Sequence, residues 1–176
     1  MLLVMAALVR RKGIDVLLDA LARLSCPPAL LVAGEGEERP ALEARASALG
    51  LAGVRFLGQR ADKGDLLAAC DVLVLPSRQE GLGVAALEAM AAGRAVVASD
   101  VGGLGQAVVE GVTGLLVPPG DAAALAEAVA RLARDPALRA SLGAAGPARV
   151  EQGFRAECMV ASYEALYREV LAGGPR

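Results

Sequence analysis

The sequence predicts a doubly wound α/β fold: a Rossmann-like parallel sheet of about six strands, helices on both faces and a helical C-terminal annex. Three observations point to it. A short Leu-rich or β-branched run, then Gly or Asp, then an Ala/Leu-rich stretch with helical spacing is the pattern that organises the chain. The apolar runs are continuous rather than alternating, as in a parallel sheet covered on both faces. Alternating β and α elements joined by right-handed crossovers pack as such a sheet.

In order along the chain, Leu2 to Met5 reads as the first strand, followed by a loop over Ala6 to Gly13 and a helix over Ile14 to Leu24. Ala29 to Ala33 is the second strand, with a helix over Arg39 to Leu49. Val54 to Leu57 leads to a helix over Gly64 to Cys70, and Val72 to Leu75 to one over Gly83 to Ala92. Ala95 to Ala98 leads to Leu104 to Glu110, and Gly114 to Val117 is the last strand. After Pro118-Pro119-Gly120 the pattern changes. Asp121 is a good N-cap for an amphipathic helix to about Arg134, Asp135-Pro136 opens another, and a further helix fits Ala156 to Leu171. The tail from Ala172 to Arg176 is expected to fray. No linker divides the chain, so residues 1–176 read as a single domain.

Composition narrows the chemistry. A length of 176 residues suits one domain with a real core. A net charge of −2 gives no electrostatic reason to expect nucleic acid or an anionic membrane as partner. With no Trp, two Phe and two Tyr, platforms for stacking bases are lacking. No His and only scattered Cys26, Cys70 and Cys158 leave no soft-ligand metal site and no His-based triad. The mean hydropathy of +0.48 calls for a membrane test. The apolar opening, Met1 to Val9, is too short to span and is followed by Arg10-Arg11-Lys12, the reverse of a secretory signal. These features predict no transmembrane segment, a cytoplasmic location and buried free thiols for all three cysteines, with Cys70 a core residue rather than a nucleophile.

Ligands of such sheets bind outside the carboxyl ends of the strands, and glycine is concentrated at that edge. The glycine-bearing segments are Gly34-Glu35-Gly36, Gly58-Gln59-Arg60, Pro76 to Gly83 and Ser99 to Gly103. Glycines there let backbone amides approach an anionic phosphate at a helix N-terminus. If a helix starts near Gly83, Glu80 lies just before its positive end and Glu88 about 7.5 Å along its axis. That suits a nucleoside diphosphate-sugar. The diphosphate would lie on the Leu82, Gly83 and Val84 amides, sugar hydroxyls on Glu80 and ribose hydroxyls on Glu88. Plainer readings stand beside this one. Glu80 and Glu88 also fit a first-turn acid and a solvated helix residue, and Lys12 a surface lysine in a basic cluster. Gly34-Glu35-Gly36 lacks the third glycine of a dinucleotide fingerprint and fits a helix-start turn as well as a ligand contact. Ser77 either caps the following turn or touches ligand, and Arg60 reads as a surface side chain whose backbone alone meets a base.

A set of strings carries a family resemblance: Lys12-Gly13-Ile14-Asp15, Gly34-Glu35-Gly36, Phe56-Leu57-Gly58, Asp71 to Ser77, the Glu80 and Glu88 pair, Gly93-Arg94, and Gly111 to Asp121. In this order they resemble the C-terminal, donor-binding domain of the family-4 retaining glycosyltransferases of GT-B fold, over nearly the whole chain. The resemblance implies a catalytic pair of Glu80 on the donor sugar and Lys12 on the diphosphate, with Glu88 on the ribose. It places the Gly58-Gln59-Arg60 backbone on the base edge, and Gly34, Ser77, Gly81, Leu82, Gly83 and Val84 around the donor. Lys12 and the helix dipole would stabilise charge on the leaving diphosphate, with no metal and no cofactor beyond the substrate; no Asp-x-Asp occurs.

Two departures stand out. Ala6 and Ala7 occupy the family's Gly-Arg positions, removing one of two phosphate-neutralising cations, and whether Arg10 or Arg11 replaces it stays open. Gly105-Gln106 stands where the family tends to have Pro-Glu. The resemblance also implies an acceptor-binding domain, expected to be absent here, so that donor binding without efficient transfer is expected unless a partner supplies that half. Rival readings are a dinucleotide oxidoreductase, for which Ala6-Ala7 offers no complete glycine fingerprint; a sugar-nucleotide epimerase or hydrolase, whose usual histidines are missing; and a structural or protein-interaction fragment.

Overall fold

The computed structural model describes residues 1–173. Six parallel strands, β1 (Leu2–Met5), β2 (Leu30–Ala33), β3 (Val54–Gly58), β4 (Val72–Leu75), β5 (Ala95–Ser99) and β6 (Gly114–Val117), form one sheet in the order β3-β2-β1-β4-β5-β6. The chain winds outward from β1 to β3, then returns to place β4 on the other side of β1, with Leu2 paired to both Leu30 and Val72. The strand order therefore reverses between β1 and β4, and the crevice at their carboxyl ends is the expected ligand position.

Period-two alternation divides each buried strand between two cores. Leu2, Val4, Val32, Val74 and Val97 pack under α1 (Ile14–Ala22), α2 (Arg39–Ala48) and α6 (Ala122–Arg134). Leu3, Met5, Leu73, Leu75, Val96 and Ala98 pack under α3 (Lys63–Ala69), α4 (Val84–Ala91) and α5 (Leu104–Ala107). The chain ends with α7 (Pro136–Gly153), which packs on α4, and α8 (Ala156–Gly173). Asp121 caps α6 by accepting from the Ala123 and Ala124 amides at 2.9 Å, and Asp135 caps α7 through Leu138 at 2.8 Å, with Pro136 in its first turn. On α8 no residue is buried; Met159, Val160, Tyr163, Leu166, Tyr167 and Val170 form an exposed apolar stripe at helical spacing.

The doubly wound sheet and the annex are as the sequence predicts, and the differences lie at element ends. β2 starts at Leu30, β5 runs on to Ser99, and α3 begins and ends one residue early. β3 extends to Gly58 because a register irregularity at Val32/Ala33 pairs Ala33 with Gly58. The first helix stops at Ala22 because Arg23 and Leu24 switch to tighter bonds from their amides to the Ala20 and Leu21 carbonyls, ahead of Pro27-Pro28. Gly83 is the N-cap of α4 rather than its first residue. The helix expected to reach Glu110 ends at Ala107, because the Arg149 guanidinium takes the Gln106 and Ala107 carbonyls and the Thr113 hydroxyl accepts from the Val109 amide. The Ala6 to Gly13 loop contains a 3-10 turn at Arg10–Lys12. Ala172 and Gly173 are helical where fraying was expected; the rest of that tail lies outside the described residues. Of the three thiols only Cys70 is buried, and burial pushes its pKa up; Cys26, in the Pro-bearing loop after α1, is exposed, and Cys158 on α8 is half-buried. Among the described residues no helix is long and apolar enough to cross a membrane.

Candidate functional site

Two left-handed glycines shape the crevice between β1 and β4. Gly13, at φ 64, ends the 3-10 turn and caps α1; a Cβ there would collide with the Pro76 carbonyl, so the loops after β1 and β4 touch through backbone. Gly83, at φ 74, caps α4 without a side-chain hydrogen bond, and a Cβ there would strike Leu104 of α5. Among the described residues the Leu82, Gly83, Val84 and Ala85 amides donate to no protein acceptor. They form the open positive end of α4.

Two adjoining cavities flank this helix start. One, of about 280 Å³, is lined by Lys12, Glu80, Leu82, Gly83 and Val84 together with Met5, Leu75 and Ala85. The other, of about 440 Å³, is lined by Gly34, Gln59, Arg60, Val84 and Glu88, and also by Ala6, Ala7, Glu35 and Lys63. Met5, Val84 and Ala85 belong to both, so the two cavities meet over the first turn of α4.

In the smaller cavity Lys12 Nζ donates to Glu80 Oε2 at 2.6 Å, with the two side chains 14% and 12% exposed. The Ser77 hydroxyl donates to the same oxygen at 3.1 Å, and the Gly81 amide to Oε1 at 3.2 Å. Burial pushes the Glu80 carboxyl up, but the Lys12 hydrogen bond and charge, the Ser77 hydroxyl and the Gly81 amide outweigh it and hold it below its ordinary value. In the larger cavity Glu88 faces Lys63 at 3.4 Å in an open, solvated pair.

The remaining residues singled out from sequence divide into those that line a cavity and those that support one. Gln59 and Arg60 line the larger cavity, though the Arg60 guanidinium is engaged by Asp62 in a bidentate pair at 2.8 and 2.6 Å. Gly34 lines it too, but its φ of 147 and the Ala6 carbonyl where its Cβ would be show that close loop packing already demands glycine. Gly34-Glu35-Gly36 is not a helix-start turn, since α2 begins only at Arg39; the segment is stitched to the β1 loop by the Leu8 amide on the Glu35 carbonyl, 2.8 Å. Gly58, Gly81 and Ser77 line neither cavity. Gly58 turns the chain at φ 71, and Gly81 accepts from the Gly103 amide at 2.6 Å. Ser77, 1% exposed, neither caps a turn nor reaches the crevice: it holds Glu80. Arg10 and Arg11 are exposed and line neither cavity, so the wall at Ala6-Ala7 carries no charge of its own. Lys63 escaped the sequence reading, although its place directly after the β3 loop puts it at the same sheet edge.

A Rossmann-like parallel sheet whose switch-point crevice gathers glycine loops, Lys12, Glu80 and Glu88 around one helix start has the architecture of a GT-B glycosyltransferase domain. The profile of the family described as glycosyl transferases group 1 matches residues 1–135, and the chain belongs to that family. The lipopolysaccharide core biosynthesis glycosyltransferase LpsE of Rhizobium meliloti is 38% identical over 161 residues, covering 90% of this chain and 47% of that protein. HepE from Anabaena, solved in complex with UDP and glucose, superposes with a TM-score of 0.84 at 30% identity, over 98% of this chain and 48% of that one. The C-terminal domain of LpcC, a glycosyl transferase group 1 family protein of Francisella tularensis, superposes with a TM-score of 0.78 at 26% identity, over 88% and 86% of the two chains. The chain spans about half the length of the curated relatives it matches.

Proposed function

We propose that this chain is the nucleotide-sugar-binding half of a retaining, metal-independent glycosyltransferase, with the donor held across the β1/β4 switch point. The observation that carries the reading is the meeting of two cavities over the free amides of α4, with Lys12 and Glu80 on one side and Glu88 on the other. In this reading the diphosphate sits on the Leu82, Gly83 and Val84 amides and draws Lys12, whose charge stabilises the departing diphosphate where a metal would otherwise serve. Glu80, released from Lys12 and still held by Ser77 and Gly81, accepts from sugar hydroxyls. Glu88 accepts from the ribose, and the Gln59-Arg60 backbone meets the base. The acceptor is bound by a second domain or partner chain; the doubled length of the relatives and the uncovered apolar stripe of α8 support that part. The three free cysteines fit a reducing cytoplasm.

Calorimetric titration of the chain with UDP-, GDP- and ADP-sugars and the free nucleotides tests the assignment. Glu88→Gln is expected to weaken nucleotide and nucleotide-sugar alike by about tenfold, as for loss of a charge-assisted hydrogen bond. Glu80→Gln is expected to weaken mainly the sugar-bearing ligand. Equal losses in both variants would show that the donor does not lie along α4 in this direction. Mixed with donor and acceptor but no second domain, the chain is expected to transfer little radiolabelled sugar, and transfer at the rate of intact enzymes contradicts the half-site reading. The uncharged wall at Ala6-Ala7 favours a second reading, a binding-inactive interaction fragment, which predicts no heat with any nucleotide.

A further inference from the structure

Asp15 and Arg78 line neither cavity and take no part in the donor contacts above, yet they tie together the two loops that carry its charged groups. Lys12 closes the turn after β1, and Glu80 lies in the loop after β4, 68 residues away. The Arg78 guanidinium reaches across this gap. Nη1 donates to Asp15 Oδ1 and Nη2 to Oδ2, each at 2.7 Å, and Nη1 also donates to the Arg10 carbonyl at 3.0 Å. The backbone repeats the link, because the Arg78 and Gln79 amides donate to the Arg11 carbonyl at 2.8 and 3.3 Å. Lys12 is thus bracketed by the Arg10 and Arg11 carbonyls on one side and Asp15 in the first turn of α1 on the other. A planar guanidinium fork on a carboxylate is the most directional ion pair available to a protein, whereas a lysine on its four-carbon stem has little direction of its own. The contrast lies in the same crevice: Lys63, with no such brace, stands 3.4 Å from Glu88 and is 57% exposed.

We infer that Asp15 and Arg78 are a positioning pair, which clamps the Arg10–Lys12 turn onto the Ser77–Glu80 loop and so holds Lys12 Nζ on Glu80 Oε2, ready for a nucleoside diphosphate. This rests on the donor reading for its purpose, but the contact it explains exists without ligand. It can therefore be tested separately.

The test is a carbon-detected NMR titration of the Glu80 carboxyl in the full chain and in Asp15→Asn, Arg78→Lys and Asp19→Asn. The groups facing Glu80 are Lys12, the Ser77 hydroxyl and the Gly81 amide, and none of them is altered in these variants. Loosening Lys12 removes the largest opponent of burial, so the Glu80 midpoint is expected to rise by about half a pH unit in both clamp variants. Arg78→Lys keeps the charge and loses the fork, so a rise there reads geometry rather than net charge. Asp19→Asn breaks an equivalent fork on the same helix, to Arg45 at 2.8 and 2.6 Å, without touching either loop, and is expected to leave Glu80 unmoved. An unmoved Glu80 midpoint in both clamp variants, or an equal rise in Asp19→Asn, overturns the inference. A parallel calorimetric titration with UDP is expected to show about fivefold weaker binding in the clamp variants only. Absence of binding of UDP, GDP and ADP alike by the unaltered chain would refute the donor reading instead, with the Glu80 titration still deciding the clamp.

Discussion

Two carboxylates, Glu80 in the crevice and Asp15 beside it, are kept ionised by cations that other elements deliver. For Asp15 the Arg78 fork lowers the pKa against the opposing effect of burial; for Glu80 burial works upward and Lys12, Ser77 and Gly81 overcome it. Both folded values lie below those of the unfolded chain, where carboxyls titrate near pH 4. Their stabilising contribution is therefore complete above that range and disappears as pH falls through the lower folded values. Thermal melts of the unaltered chain and of Asp15→Asn are accordingly expected to differ most at neutral pH and to converge as acid protonates Asp15 in the folded chain. A gap that persists into acid would mean that the loss in the variant comes from packing rather than from the charge. Little of this was legible in the sequence. Lys12, Glu80 and Glu88 stood out because glycines flank them at strand ends. The fork between Asp15 and Arg78 spans 63 residues, and no local pattern reveals such a pair. Ser77 reads from sequence as a cap or a ligand contact, but its partner is a carboxylate three residues on.

The element that carries the site, α4, is set by what lies behind it. Ala86 and Ala89 let it sit close to the sheet, and Gly146 of α7 packs directly against the Met90 backbone, where a Cβ would collide. Gly146→Ala is expected to push the two helices apart, destabilising the fold by about 1–3 kcal/mol in denaturant titrations. The same variant is expected to weaken UDP binding, because the free amides of α4 move with the helix. Unchanged UDP affinity alongside lost stability would detach the helix position from the site. The cores of the elements were legible because a buried parallel strand is a continuous apolar run, and because Asp121 and Asp135-Pro136 are local start signals that act locally. Their ends were less so where a distant group decides them. Arg149 stops α5 from a position about forty residues further along the chain, so Leu104 to Glu110 looked like one helix. The 3-10 turn at Arg10–Lys12 carries no apolar period and read as loop.

At the scale of the whole molecule, the reversal of strand order brings the loop after β1 and the loop after β4 side by side, which is why Lys12 meets Glu80 at all. The apolar stripe on α8 and the span of about half a relative's length belong to this scale too, since both bear on the proposed second, acceptor-binding half. The fold class and the carboxyl edge as the ligand side follow from the repeated β/α unit and its continuous apolar strands; which loops meet in the crevice needs the strand order, and no local pattern carries that. The central claim is that a nucleoside diphosphate lies over the first turn of α4. Amide NMR shifts of the labelled chain titrated with UDP test it most directly. The account predicts saturable shifts at Leu82, Gly83 and Val84, continuing through Glu88 to Gln59 and Arg60. Shifts confined to another surface, such as the cavity between β6 and α6 lined by Glu110 and Arg131, or no saturable shift with UDP, GDP or ADP, would contradict it.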